Sequence, residues 1–182
     1  MPTPEKTSFD AIIAAGRALL EERGQRGLTM QGVAERVGVK APSLYKHVAN
    51  RAALLAAVAQ ATVEDLAESL ETTDGSLEEL ARRYRQFATA RPEGFRLMHS
   101  TYVPPRTLAH ASRPVLRVMR ELVGEREALD AARLLTAWVT GFIEMELNGS
   151  FRLDGDLERA FEYGLARIHR ALTPSPGHVT PG

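Results

Sequence analysis

Apolar side chains recur along this chain at spacings of three and four residues, the period of a helix that buries one face. Phe9, Ile12, Ile13, Ala15, Leu19 and Leu20 form the first stripe. Ser8 is its candidate N-cap, Asp10 lies in its first turn, and Gly24 stands where the helix should stop after Arg23. A short second helix opens at Thr29, buries Met30, Val33, Ala34 and Val37, and ends at Gly38. The third covers about Ala41 to His47, with Pro42 in its first turn, where a missing N–H does no harm. Asn50 caps a fourth, Arg51 to Leu70, with Leu55, Val58, Thr62, Leu66 and Leu70 on one face.

Thr72-Thr73-Asp74-Gly75 reads as a loop and a module edge. Ser76-Leu77-Glu78-Glu79 has the form of a capping box. Behind it Leu77, Leu80, Ala81, Tyr84, Phe87 and Ala88 keep helical spacing. Arg91-Pro92 breaks that helix, Glu93 to Ser100 makes a shorter one, and no helix should cross Val103-Pro104-Pro105. Val115, Val118, Met119 and Leu122 define the next, which ends at Gly124. Arg126 to Leu147 and Asp156 to Leu172 complete the set. With no internal repeat and no alternating strand, the expected fold class is all-α. A head at 8–55 precedes a larger helical domain at 56–172, flanked by a flexible N-terminus (1–7) and a disordered Pro/Gly-rich tail (173–182).

Composition narrows the function. The 182 residues are 44% hydrophobic and 25% charged, an ordinary globular balance that excludes disordered and collagen-like chains. No apolar run approaches the roughly 18 residues of a membrane span, and the polar N-terminus offers no secretory signal, so a cytoplasmic protein is expected. The absence of Cys removes disulfides, thiolate metal sites and Cys nucleophiles. Basic and acidic residues balance at 23 each, yet no acidic residue occurs between Glu35 and Glu64. Arg36, Lys40, Lys46, His47 and Arg51 lie in that gap, which suits a polyanionic partner.

The second and third helices, joined by Val37-Gly38-Val39, match a helix-turn-helix. Val33, Ala34, Val37, Val39, Leu44 and Val48 can lock it against the first helix, leaving Lys40, Ser43, Tyr45, Lys46 and His47 for phosphates and base edges. Thr29, Ala34, Gly38-Val39, Leu44-Tyr45, Lys46-His47, Arg51 and Leu54-Leu55 fall in one register without insertion. In this pattern the stretch resembles the DNA-binding domain of TetR-family transcriptional regulators, over roughly residues 8–56.

The resemblance implies roles. Thr29 and Gln31 would start the positioning helix near a phosphate. Lys40, Ala41, Pro42 and Ser43 would form the leading end of the recognition helix. Tyr45 and His47 would touch backbone phosphates, Lys46 would contact DNA, and Arg51 would meet a phosphate at the start of the fourth helix. The family also implies a homodimer that binds a small, largely apolar effector and an operator duplex. Leu135, Val139, Phe161, Gly164, Leu165 and Ile168 are the expected dimer interface. Tyr84, Phe87, Phe95, Met98, Tyr102, Met119, Trp138 and Phe142 are the bulky residues available to an effector pocket. Trp138-Val139-Thr140-Gly141 resembles a C-terminal subtype with a Trp-His-Gly signature, with Thr140 where that signature has His. Glu144 and Glu146 lie within an apolar run and could face solvent, a partner or a ligand.

No catalytic or metal-binding motif is evident and no cofactor is expected, so a non-enzymatic regulator is the reading. It would be a repressor released from a palindromic operator by an inducer. The alternative is an all-α ligand-binding or protein-interaction module whose helix-turn-helix no longer binds DNA.

Overall fold

A computed structural model describes residues 8–173; the expectations for 1–7 and for the tail beyond Thr173 lie outside the described residues. Every regular element among the described residues is a helix, as the periodicity requires. In chain order these are α1 Phe9–Gly27, α2 Met30–Val37, α3 Ala41–Leu44, α4 Arg51–Glu71, α5 Leu77–Ala90, α6 Pro92–Met98, α7 Pro105–Ala111, α8 Arg113–Val123, α9 Ala128–Leu147 and α10 Leu157–Leu172.

Short polar side chains start these helices by satisfying amides that lack an intrahelical acceptor. Ser8 Oγ accepts from Ala11 N at 3.1 Å, Thr29 Oγ1 from Gly32 N at 3.0 Å, and Asn50 Oδ1 from Ala53 N at 2.9 Å. Asp156 does the same for Glu158 and Arg159. The capping box forms only in half. Ser76 Oγ accepts from Glu79 N, but Asp74 takes the Ser76 amide and the Glu79 carboxylate pairs with Arg83 instead.

The helices depart from the sequence reading at several points. Gly24 leaves helical geometry at φ 66°, ψ 178°, but the chain then resumes a turn as far as Gly27 rather than stopping at Arg23. α3 ends at Leu44, not His47. Residues 45–47 tighten into a turn in which His47 N and Val48 N both donate to the Leu44 carbonyl at 2.9 Å. That turn brings Val48 inward to 4% exposure. α7 was not expected, because its inward residue is Thr107 (6% exposed) while its leucine, Leu108, faces out (45%), reversing the usual signal. His110 is exposed in the last turn of α7.

The described residues form two compact units. The first comprises 8–66 and 90–110. In it α1 packs against α2 and α6, and α2 against α3. Ile12, Leu20, Leu28, Val33, Leu44, Leu54, Leu55, Val58 and Phe95 are 0–1% exposed at its centre. The Glu21 carboxylate of α1 caps α6, accepting from Glu93 N at 3.1 Å and Gly94 N at 2.7 Å. Asp65 of α4 holds Arg17 of α1 at 2.7 Å.

The second unit comprises 67–89 and 111–173, with α9 packed against α8 and α10. Its interior includes Leu77, Met119, Val139, Ile143, Phe161 and Leu165, each 0–1% exposed. Trp138 stacks on Phe161 with ring centroids 5.2 Å apart, and Phe142 meets Phe161 edge-on at 5.2 Å and Phe151 at 4.9 Å. The Arg85 guanidinium lies 4.7 Å above the Phe161 ring. It also donates to both Glu146 oxygens at 2.8 Å and to Glu158 at 2.6 Å. This settles Glu146, whose partner is Arg85 of the same chain. Glu144 accepts from Asn148 at 3.4 Å.

Candidate nucleic-acid interface

The helix-turn-helix is built by two local rules. Gly38 adopts the left-handed conformation (φ 74°, ψ 31°), open to glycine at no steric cost, and its N–H closes α2 onto the Ala34 and Glu35 carbonyls. Past that turn, Leu44 (0% exposed) and Val48 (4%) point into the core of the first unit. The residues between them are thereby forced outward: Tyr45 stands 54% exposed, with Lys46 and His47 exposed beside it.

Lys40 and Pro42 are exposed at the leading end of α3, and Ala41 and Ser43 are half-buried there. Among the described residues, Lys40, Lys46 and His47 enter no ion pair, so their donors face solvent. Thr29 is exposed; its Oγ accepts the Gly32 amide, which leaves the hydroxyl proton to donate outward. The exposed Gln31 amide donates to Glu35 at 3.0 Å. Arg36 is drawn away from this surface: it pairs with Glu22 of α1 at 2.5 Å, and that hydrogen bond holds the Glu22 carboxyl below the usual range.

Arg51 is held by its own chain. Its Nε donates to the Leu28 carbonyl at 2.7 Å and an Nη to the Gln25 carbonyl at 2.5 Å. The half-buried side chain is engaged with its own chain's backbone, not extended toward solvent.

The expected dimer residues need correction. Leu135 (3%), Val139 (1%), Phe161 (0%) and Leu165 (0%) lie in the chain's own interior, and Gly164 and Ile168 are half-buried. The four buried residues are core rather than a face offered to a partner. α9 is apolar almost all round, and periodicity alone does not tell its inner side from its outer one. The outer side carries Leu134 (51%), Ala137, Gly141 and Met145 (45%) at helical spacing, with Tyr163 (64%) exposed on α10. The small residues at 137 and 141 were the available signal.

The eight pocket candidates divide between the units. Phe95, Met98 and Tyr102 belong to the first, and Tyr84, Phe87, Met119, Trp138 and Phe142 to the second. Phe87, Phe95, Met98 and Met119 are buried, and Trp138 and Phe142 are packed into the aromatic cluster. A cavity of about 320 Å3 in the first unit is lined by none of the eight; Arg17, Glu21, Thr62, Asp65 and Arg91 supply its polar groups.

The fold and this surface define a helical protein with a helix-turn-helix head. Residues 12–58 match the family described as bacterial regulatory proteins, tetR family, and residues 77–168 match the tetracyclin repressor-like C-terminal domain. The class A tetracycline repressor of transposon 1721 in Escherichia coli is 37% identical over 101 residues, which are 53% of this chain and 47% of that repressor. The class G repressor of Vibrio anguillarum is 30% identical over 143 residues, 76% of this chain and 68% of that one. The chain therefore spans about half the length of the first relative and just over two thirds of the second. Among solved structures, a TetR variant of Acinetobacter baumannii in complex with minocycline superposes with a TM-score of 0.68 at 26% identity, over 93% of this chain and 99% of that one. The chain belongs to the TetR family of bacterial regulatory proteins.

Proposed function

We propose that this chain is a homodimeric repressor that binds a palindromic duplex through α2 and α3 and leaves it when a small molecule binds. The observation that carries the DNA reading is the outward group Lys40, Tyr45, Lys46 and His47, set between the inward Leu44 and Val48 and facing solvent without carboxylate partners. Two such surfaces on a symmetric dimer would enter successive major grooves about 34–36 Å apart. Thr29, Gln31, Ala41, Pro42 and Ser43 frame the approach to phosphates and base edges. The exposed stripe Leu134, Ala137, Gly141 and Met145, with Tyr163, supports self-association, because small residues let a second α9 approach closely while the flanking apolar side chains lose water. The A. baumannii relative in complex with minocycline supports release by a small molecule. The ligand would act through its difference in affinity between DNA-competent and incompetent shapes.

The test is binding by the full chain to duplexes selected from a random-sequence pool. Tyr45→Ala with Lys46→Ala is expected to abolish sequence-specific binding while leaving helicity and melting unchanged. Binding equal to wild type in that double variant would overturn the surface assignment. Failure of the wild-type chain to select any sequence would favour the module that no longer reads DNA.

A further inference from the structure

We propose that Arg51 serves DNA recognition as a positioning residue that fastens the α1–α2 connection to the start of α4, rather than as a phosphate contact; this rests on the DNA-binding reading above. The guanidinium is planar, and its Nε and one Nη form an edge that grips two acceptors at once. Here that edge is turned onto the chain itself, Nε to the Leu28 carbonyl and Nη2 to the Gln25 carbonyl. With Nε and Nη2 held by these two carbonyls, that edge is not offered to a phosphate.

The two acceptors give the contact its purpose. They bracket Arg26 and Gly27, in the segment that follows the non-helical Gly24. Leu28 is fully buried, and Thr29, the next residue, is the N-cap of α2. The path of 25–28 therefore fixes where Thr29 and Gln31 stand. Arg51 ties that path to the first residue of α4, while its neighbour Asn50 caps α4 with its own side chain. One dipeptide thus starts a helix and locks the preceding turn. A lysine keeps the charge but is a point donor, unable to span both carbonyls.

The test separates the two roles by salt dependence. A phosphate contact contributes about one unit to the slope of log K against log salt, so its loss lowers the slope; a positioning contact does not. R51K should bind the duplex selected by wild type about tenfold more weakly or worse, with the slope unchanged. R51Q, which loses the charge but keeps an amide within reach of one carbonyl, should show a partial loss at the wild-type slope. R51K within twofold of wild type, or a slope lowered by about one per contact in R51Q, would overturn the proposal. Amide exchange on the free full-length protein gives a readout that needs no DNA. R51K should speed exchange across 28–33 and leave α9 as in wild type; unchanged exchange at 28–33 would also overturn it. If wild type selects no duplex, the DNA-binding reading fails, and the exchange result still decides whether Arg51 holds the turn.

Discussion

Gly164 of α10 and Trp138 of α9 meet so closely that a Cβ on the glycine would lie 2.3 Å from Cζ2 of the indole. The ring cannot simply move aside, since it is stacked on Phe161 and tilted against Phe142. Gly164→Ala is therefore expected to destabilise the second unit by about 1–3 kcal/mol, despite alanine's better helix propensity. Chemical denaturation checks the magnitude. Trp138 is the single tryptophan of the sequence, so a shifted emission maximum reports the displaced ring directly.

Arg85 connects three elements through side-chain contacts that are mostly out of water. Its side chain is 12% exposed and that of Glu146 is 19% exposed. Arg85→Met should cost about 2–4 kcal/mol, because it leaves the mostly buried Glu146 carboxylate without its partner. Adding Glu146→Gln should recover part of the loss, since the stranded charge goes with it. Urea denaturation of the two single variants and the double variant measures that coupling. Equal loss in Arg85→Met and the double variant would mean that the packing of the arginine stem, not the ion pair, carries the contribution.

Tyr84 gives stability an alkaline limit. Burial pushes its hydroxyl up to about 12, although the 3.3 Å contact with the Thr140 hydroxyl acts in the opposite direction. In the unfolded chain a tyrosine loses its proton near 10. Between these two values the unfolded state binds fewer protons than the folded one, so stability falls as pH rises. The contribution is fully present below pH 10 and fades toward pH 12, by up to about 2 kcal/mol. Tyr84→Phe should be about 1 kcal/mol less stable near neutral pH for want of the Thr140 contact. The gap to wild type should then narrow at alkaline pH. Denaturation midpoints of both proteins between pH 8 and 11.5 (roughly, as the window these values define) test it; parallel curves would contradict the burial argument.

The proposed self-association sets the two faces of α9 apart. Leu134→Arg with Met145→Arg places charge on the exposed stripe and should yield a monomer with unchanged thermal unfolding at low concentration. Leu135→Ala removes a side chain that is 3% exposed and should cost about 2–4 kcal/mol without altering the association constant. Sedimentation velocity across a concentration series distinguishes them.

Most of the fold was legible because its helices announce themselves locally. Ser8, Thr29, Asn50, Ser76 and Asp156 each cap the helix that the pattern assigns them, and Gly38 and Gly124 end theirs with positive φ. What the sequence concealed was non-local. Arg85 reaches acceptors 61 and 73 residues away, and no spacing along the chain encodes that meeting. The side of α9 that faces its own core is likewise a tertiary choice among nearly equivalent apolar positions. α7 was hidden for a different reason, since a threonine takes its buried place. For the DNA surface, the Leu44 and Val48 spacing was enough to orient Tyr45, Lys46 and His47. Arg51 was expected to meet an anion because a cation at a helix start suits one, and spacing alone could not show the carbonyls it holds, which belong to a turn 23 and 26 residues earlier.

The join made by Asn50 and Arg51 has a thermodynamic consequence. A recognition element that must be ordered on contact pays conformational entropy out of its affinity, about 1–2 kcal/mol for each backbone residue frozen. Here the connection before α2 and the first turn of α4 are already fastened by the chain's own hydrogen bonds. The head can therefore meet a groove as a preassembled part, and discrimination between one sequence and another rests on side-chain fit rather than on the work of folding a loop.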